Sequence, residues 1–258
     1  MCLLLFAVDP SPDLRLVVAA NRDEFFARPA APLHAWDGAP TVLAGRDLEA
    51  GGTWMGVTES GRWGALTNVR DPQSPRRAER SRGHLVADFL TGAASATDYA
   101  ASVHGDRSRY DGFNLVVSDP EAVWIVSTRE DRPTNLGPGI YGLSNDRLDV
   151  PWPKVTRGRA ALRTAVEAGA SLDDLLGLLD DRHRPPDDTL PDTGVGIKWE
   201  RRLGPMRIVT PDYGTRVSTA LVIGANGDIQ VAERTWGPDG TEAGVVRLSV
   251  TPSSIPRP

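Results

Sequence analysis

Two apolar runs at the start of the chain constrain its fold more than any other feature of the sequence. The first covers residues 2–8, the second covers residues 14–20, and the turn between them contains Pro10 and Pro12. Each run is too short to cross a membrane and has the length and apolar composition of a buried strand. The pattern therefore predicts a β-hairpin of two buried strands at the start of the fold.

The only cysteine among the 258 residues stands at position 2, at the head of the first predicted strand. An initiator methionine before a small residue is commonly removed, and Cys2 would then carry a free α-amino group beside its thiol. The unperturbed pKa of such an amine is about 7.7–8.0, against about 8.5 for a cysteine thiol. The amine can therefore act as general base for its own side chain, which makes Cys2 a candidate nucleophile. The alternative is that Cys2 is a small buried hydrophobic residue.

The second predicted strand ends in four polar residues, Asn21-Arg22-Asp23-Glu24. Because the second strand of a hairpin returns beside the first, Arg22 is expected to lie next to Cys2. A neighbouring guanidinium favours the thiolate form of a cysteine. Asp23 is expected to hold the α-amine or to orient the arginine.

The composition argues against several classes of protein. The formal net charge of −5 is unlike that of a nucleic-acid-binding domain, which is normally basic. One cysteine excludes a disulfide within the chain, and no apolar run reaches the roughly 18 residues of a membrane span. The first apolar run has neither a basic region before it nor a small-residue cleavage site, so it does not resemble a signal peptide. We therefore predict a cytoplasmic protein without a membrane span.

Local motifs for bound cofactors are also missing from the sequence. The four histidines are scattered without metal-ligand spacing. No Gly-rich phosphate loop, Rossmann fingerprint or Gly-x-Ser-x-Gly elbow occurs, and neither does Cys-x-x-Cys-His. The sequence therefore predicts no metal site and no resident cofactor.

The predicted strands and helices occur in separate runs along the chain. Four helices are predicted, over residues 81–90, 95–103, 152–168 and 172–179. Residues 208–209 are predicted as a short strand, and the charged, Pro-containing residues 180–191 as a mobile loop. Separate runs indicate an α+β fold of two antiparallel sheets between helix layers, with residues 1–258 forming one domain.

Two further segments carry polar residues suited to a site. Asn145 follows a predicted strand over residues 140–143, where its amide can donate to a developing oxyanion and contribute about 10²–10³ in rate. The alternative is an Asx-turn that caps the strand. Residues 70–82 contain five arginines, which suits the recognition of an anionic group or, alternatively, a solvated surface loop.

The chain resembles the NRDE family, also called the Transport and Golgi organisation 2 family, which takes its first name from the motif at residues 21–24. The resemblance runs from residue 1 to about residue 236 through short blocks in the family's order. These blocks are Met1-Cys2, Arg28-Pro29, Gly45-Arg46-Asp47, Gly51-Gly52-Thr53-Trp54, Thr67-Asn68-Val69-Arg70, Gly142-Leu143-Ser144-Asn145, Pro151-Trp152-Pro153-Lys154 and Tyr213-Gly214-Thr215-Arg216.

This family resembles in turn the N-terminal nucleophile (Ntn) hydrolases, nearest to the penicillin V acylase and bile-salt hydrolase branch. The resemblance implies a four-layer αββα sandwich that acts as a hydrolase or acyl transferase on a non-peptide amide or thioester. It also implies six site residues: Cys2 as nucleophile, Arg22 and Asp23 as the strand-two pair, Asn68 and Asn145 at the oxyanion, and Arg234 as a distal arginine. Because the arginine and the acid adjoin here but are separated by two residues in that branch, Glu24 is an alternative acid.

The family also implies a function of a different class. Its biology has been tied to haem movement and to lipid or acyl-CoA metabolism, which implies a binding and trafficking protein that keeps the fold without turnover. In that case the Cys2 thiolate is the expected ligand of haem iron. Under either function, the expected partner is a small molecule with an amide, thioester or anionic group.

Overall fold

Two antiparallel β-sheets form the centre of the molecule. The computed structural model describes residues 2–38, 40–72 and 78–251. The strands within these residues are β1 (Cys2–Ser11), β2 (Leu14–Phe25), β3 (Ala30–Ala35), β4 (Val42–Asp47), β5 (Met55–Thr58), β6 (Trp63–Asn68), β7 (Phe113–Ser118), β8 (Val123–Ser127), β9 (Thr134–Asn135), β10 (Gly139–Leu143), β11 (Tyr213–Gly224), β12 (Ile229–Trp236) and β13 (Glu242–Val250).

The predicted hairpin, β1 and β2, occupies the interior of the first sheet. The strand order of that sheet is β10-β1-β2-β11-β12-β13, and the order of the second sheet is β3-β4-β5-β6-β7-β8-β9. Each strand of the hairpin therefore has a hydrogen-bonded neighbour on both sides and other layers above and below. A strand covered in this way is expected to be apolar at consecutive positions, which accounts for the two apolar runs in the sequence.

Alternate residues of β1 point into different layers of the molecule. Leu4 and Phe6 lie in the core between the two sheets, whereas Leu3 and Leu5 lie in the core on the outer face of the first sheet. The ring of Phe6 lies 5.8 Å from that of Trp63 on the second sheet, measured between centroids. The two sheets therefore share one apolar core, and each buries its other face separately.

Helices cover the outer face of each sheet. Those within the described residues are α1 (Gly83–Thr91), α2 (Ala96–Asp106), α3 (Pro153–Glu167), α4 (Leu172–Leu178) and α5 (Ile197–Leu203). Helices α3 and α4 pack on the first sheet, and α1 and α2 pack on the second. The predicted α+β fold and its αββα layering are confirmed. None of the helices in the described part of the chain has the length and apolar character needed to cross a membrane.

Helix α3 lies close against β1 because Gly158 has no side chain. A Cβ at Gly158 would stand 2.7 Å from Cδ1 of Leu5, which real Cβ atoms do not approach so closely. Lys154 lies one turn earlier on the same face of α3. The close packing of helix and strand therefore holds Lys154 against the first sheet, beneath the hairpin.

Two differences from the predicted elements lie in the last third of the chain. Helix α5 was not predicted, because it has only seven residues and follows Gly196 without a side-chain N-cap. Residues 208–209 are not a strand. Instead, the main-chain N–H of Ile208 donates to the hydroxyl of Thr215, 2.9 Å away.

The segment predicted as a mobile loop, residues 180–191, is held by ion pairs. The buried guanidinium of Arg207 binds the carboxylate of Asp180. The carboxylate of Asp181 lies 2.7 Å from Arg157 on α3. Two arginines of the predicted basic segment, Arg76 and Arg77, lie outside the described residues, as does the chain after residue 251.

Candidate active site

The hairpin register places Cys2 directly opposite Arg22. Residues that face each other across antiparallel strands project their side chains to the same face, with Cβ atoms about 4.5–5.5 Å apart. That face is the one toward the second sheet, since Leu4, two residues along β1, lies in the core between the sheets. The predicted proximity of a guanidinium and the sulfur therefore follows from the pairing of β1 with β2.

Cys2 and Arg22 lie on the wall of a pocket of about 120 Å³ between the two sheets. Both sheets and the start of α1 contribute to this wall. It is formed by Cys2, Arg22, Asp23, Glu24, Arg28, Asp47, Thr53, Trp54, Leu66, Asn68, Ser81, Arg82 and Gly83. The structure thus brings four of the six predicted site residues together, and we call this cavity the Cys2 pocket.

The guanidinium of Arg22 is buried and stacked. Arg22 is 7% exposed, and its Cζ lies 4.4 Å from the ring centroid of Trp54. Its Nη2 lies 3.9 Å from Oε2 of Glu24, whereas Nη1 has no hydrogen-bond partner among the described residues. Of the two acids that the sequence offered as partners, Glu24 is therefore the one that forms an ion pair with Arg22.

Asp23, on the pocket wall, also belongs to a buried polar cluster. Its Oδ1 accepts a hydrogen bond of 2.6 Å from the hydroxyl of Thr215, and its main-chain oxygen accepts one of 3.2 Å from the hydroxyl of Tyr213. Burial raises the pKa of Asp23, and the positive charge of Lys154 opposes that shift. Burial lowers the pKa of Lys154 to about 8, against the attraction of Asp23. The only hydrogen bond of Lys154 within the described structure goes from Nζ to the carbonyl oxygen of Leu203, 3.1 Å away.

Asn21, the first residue of the Asn-Arg-Asp-Glu motif, has a structural role. Its Nδ2 donates to the carbonyl oxygens of Leu179 at 3.1 Å and Met206 at 2.9 Å. Its Oδ1 accepts from the hydroxyl of Ser218, 2.6 Å away. With its amide saturated by these contacts and its side chain buried, Asn21 ties the first sheet to the segments that follow α4 and α5.

Asn145 supports the Cys2 pocket from behind. Its Nδ2 donates to the carbonyl oxygen of Asn68 over 2.7 Å, and the hydroxyl of Ser144 donates to the carbonyl oxygen of Cys2 over 3.0 Å. Asn145 is buried and is absent from the residues of the pocket wall. The end of β10 therefore fixes two groups of the pocket, Cys2 on its own sheet and Asn68 on the facing one.

Arg234 does not reach the Cys2 pocket. It pairs with Ser218, which pairs in turn with Asn21, so Arg234 projects from the face of the first sheet opposite to Arg22. Its Nε lies 3.0 Å from Oε2 of Glu242 on the neighbouring strand.

The preceding residue, Glu233, faces the core between the sheets. Its Oε1 accepts a hydrogen bond of 2.7 Å from the main-chain N–H of Leu33 on β3, and its Oε2 accepts one of 3.3 Å from the hydroxyl of Thr219. Burial raises the pKa of Glu233 to about 7, with smaller opposing effects from these hydrogen bonds and from Arg22. Sequence reasoning missed Glu233, because only the strand register shows which of two adjacent charged residues points inward.

A second cavity, of about 690 Å³, adjoins the Cys2 pocket, and Arg82 lies on the wall of both. Arg107 and Arg129 also line it, and Arg129 is paired with Asp71 at 3.3 Å. The predicted basic segment therefore contributes Arg82 to the neighbourhood of the site. Within the described ranges, no three His, Cys, Asp or Glu side chains are arranged to hold a metal ion.

The αββα sandwich is an Ntn-hydrolase-like fold, the fold of two solved structures that superpose on this chain. A mutant of the conjugated bile acid hydrolase from Clostridium perfringens superposes with a TM-score of 0.52 at 9% identity, covering 96% of this chain and 92% of that one. The Caenorhabditis elegans ortholog of N-acylethanolamine-hydrolyzing acid amidase superposes with a TM-score of 0.51 at 12% identity, covering 86% of this chain and 92% of that one. At these identities the likeness is one of fold.

The chain belongs to the Transport and Golgi organisation 2 family, whose profile matches residues 1–238. The Transport and Golgi organization protein 2 homolog of Bos taurus is 37% identical, across 93% of this chain and 95% of its own length. The human homolog is 35% identical, across 91% and 92%. The Drosophila melanogaster protein is 31% identical, across 91% and 92%. The family named by the sequence motifs is confirmed.

Proposed function

We propose that this protein is an N-terminal cysteine hydrolase or acyl transferase that acts on a non-peptide amide or thioester of a small molecule. The observation that carries the proposal is the position of Cys2, at the head of β1, opposite Arg22 and on a pocket wall shared with Asn68. The two structural neighbours are named as a bile acid hydrolase and an amidase, and their fold likeness supports the same class of chemistry here.

The proposed reaction begins at the thiol of Cys2. With Met1 removed, the α-amine takes the thiol proton and the sulfur attacks the carbonyl carbon of the substrate. The guanidinium of Arg22, on the same face of the sheet, stabilises the thiolate. The amide of Asn68 donates to the negative charge that develops on the carbonyl oxygen.

The tetrahedral intermediate then loses its leaving group. The C–N or C–S bond breaks, and the α-ammonium returns the proton to the departing amine or thiolate. The acyl group remains on Cys2 as a thioester. Water or an acceptor nucleophile attacks that thioester, the α-amine takes the attacker's proton, and the acid or transferred acyl product leaves as the thiol is restored.

A second candidate function is carriage of a haem that the Cys2 sulfur ligates. A cavity of about 690 Å³, within the roughly 300–1,000 Å³ of ligand sites, adjoins the Cys2 pocket of about 120 Å³. A haem titration tests this choice, because a Soret band that shifts with wild-type protein and not with Cys2→Ala would favour the carrier.

Acylation of Cys2 by p-nitrophenyl acetate tests the proposed reaction directly. Because the chain has one cysteine, any reaction at a thiol group takes place at Cys2. We expect a burst of one nitrophenolate per chain and the mass increase of one acetyl group. Cys2→Ser is expected to lose the acetylated species, and wild-type protein alkylated in advance is the matched control.

The mass of the purified protein provides a second check. Loss of Met1 is required for the α-amine to act as base, so the active preparation is expected to begin at Cys2. Equal acetylation of wild type and Cys2→Ser, or full activity with Met1 retained, would refute the mechanism.

A further inference from the structure

The guanidinium of Arg22 packs on an aromatic ring that the opposite sheet provides. Its Cζ lies 4.4 Å from the ring centroid of Trp54, the residue directly before β5 of the second sheet. Both side chains lie on the wall of the Cys2 pocket. The stacked pair therefore crosses from one sheet to the other at the wall to which the nucleophile belongs.

The ring orients Arg22 more strictly than its ion pair does. The ion pair with Glu24 is long, at 3.9 Å between Nη2 and Oε2, and the side chain of Glu24 is one-quarter exposed. Such a pair orients an arginine poorly, because solvent screens it. A cation stacked on an aromatic face is held more strongly when water is excluded, as it is around the buried Arg22. The ring of Trp54 is therefore the contact that orients Arg22.

This stacking leaves the N–H groups of the guanidinium available. A stacked guanidinium uses its flat face and keeps the donors at its edge for other partners. Nη1 of Arg22 is buried and has no hydrogen-bond partner in the residues that the structure describes. Arg22 is paired with Cys2 across β1 and β2, and Cβ atoms so paired lie about 4.5–5.5 Å apart. A cationic donor is therefore available beside the thiol.

Trp54 is itself fixed at its main chain and at its ring. Its carbonyl oxygen accepts a hydrogen bond of 2.8 Å from the main-chain N–H of Leu66 on β6. Its ring lies over Gly45 of β4, where an added Cβ would stand 2.4 Å from Cη2 and Cζ2 of the indole. Because atoms cannot approach so closely, a side chain at position 45 would displace the ring from Arg22.

We propose that Trp54 is a positioning residue for the reaction of Cys2, in which its ring holds the guanidinium of Arg22 beside the sulfur and Gly45 leaves room for the ring. The inference rests on the thiol chemistry proposed above and adds a residue that acts on the sulfur through Arg22. The reactivity of Cys2 then depends on a side chain of the second sheet, although the nucleophile and the cation both belong to the first.

The rates of alkylation of Cys2 by iodoacetate and by iodoacetamide measure the charge beside the sulfur. In both reactions the thiolate attacks the methylene carbon and iodide leaves, but only iodoacetate is an anion. The ratio of the two rates is therefore independent of the fraction of thiolate, and a cation at the sulfur increases it. We expect Trp54→Leu to lower this ratio at least about fivefold, which corresponds to about 1 kcal/mol, the interaction of two unit charges about 4 Å apart in water.

Two further tryptophan variants show whether the stacked ring is responsible. Trp54→Phe keeps an aromatic face and should retain most of the ratio. Trp36→Leu is the matched control and should leave the ratio unchanged. Trp36 is likewise stacked with an arginine, since Cζ of Arg46 lies 4.6 Å from its ring centroid, and neither residue lines the Cys2 pocket.

Gly45→Ala disturbs the same stack while the tryptophan remains, and it should lower the ratio as Trp54→Leu does. Its control is Gly105→Ala in α2, where an added Cβ meets no atom within 4 Å. Melting curves establish which variants are folded, and the Gly45→Ala and Gly105→Ala pair decides the test if Trp54→Leu does not fold.

The outcomes separate this inference from the proposed function. A wild-type ratio in folded Trp54→Leu, or an equal loss in Trp54→Leu and Trp36→Leu, overturns the role of Trp54 even if Cys2 is acetylated normally. An equal loss in Trp54→Phe and Trp54→Leu overturns it as well. The expected changes in the ratio without acetylation of wild-type Cys2 would support the positioning of Arg22 and refute the reaction.

Discussion

The side-chain amide of Asn145 donates a hydrogen bond to the main-chain carbonyl oxygen of Asn68 across 2.7 Å, joining the end of β10 to the end of β6. These two residues are 77 positions apart: Asn68 ends β6 of the second sheet, and Asn145 lies two residues after β10 of the first. The contact makes Asn145 a positioning residue for Asn68, which itself lines the Cys2 pocket.

Asn145→Ala is therefore expected to slow acylation of Cys2 without affecting the thiol itself. Acylation develops an oxyanion, and a misplaced donor costs up to about 10²–10³ in rate. Alkylation by iodoacetamide forms no oxyanion, so its rate at Cys2 should be unchanged. Measuring both rates on the same preparations tests this assignment. An equal decrease in both rates would instead indicate a general disturbance of the pocket.

Asn21→Ala is expected to destabilise the fold. The substitution removes three buried hydrogen bonds and leaves two carbonyl groups and one hydroxyl short of a partner. At about 1–3 kcal/mol for each buried group left unsatisfied, we expect a loss of about 3 kcal/mol or more in the free energy of unfolding, measured by urea denaturation. The exposed Asn135→Ala should change it by less than about 0.5 kcal/mol. A similarly small change in the free energy of unfolding of Asn21→Ala would contradict the structural role assigned to Asn21.

Lys154→Met is expected to be destabilising, because it removes the buried hydrogen bond from Nζ to the carbonyl oxygen of Leu203 and a positive charge that acts on the buried Asp23. A buried polar group left unsatisfied costs about 1–3 kcal/mol. Adding Asp23→Asn should recover part of that loss, with a coupling of about 0.5–3 kcal/mol in a double-mutant cycle. Lys198→Met, on an exposed position of α5, is the control. Additive effects of the two substitutions would show that these residues do not interact.

Glu233 is expected to make the stability of the protein fall as pH rises. Burial raises the pKa of Glu233 from 4.5 to about 7, so between these values the folded state holds a proton that the unfolded state has released. The stabilisation is complete below pH 4.5 and is lost as pH increases through about 7, with a total of at most about 3 kcal/mol.

Urea denaturation at several pH values between 4.5 and 8 measures this effect. Glu233→Gln keeps the hydrogen-bonding shape without the titration, and it should reduce the slope of stability against pH in this window. A slope equal to that of the wild type would assign the dependence to other groups.

The sequence alone determined the hairpin, because apolar runs of this length have few alternatives to buried strands. The pairing at its far end depends on a register shift between Val8 and Ser11, since the register next to the turn would place Cys2 opposite Asp23 and not Arg22. The separate runs of strands and helices predicted an α+β fold. The αββα layering satisfied that order and was implied by the family resemblance.

Only the tertiary structure decided which other groups meet Cys2. Asn68 comes from the facing sheet, and no local pattern encodes the approach of two sheets. Strand register decided which of Glu233 and Arg234 faces the core between the sheets, since a shift of one residue exchanges the two faces of a strand.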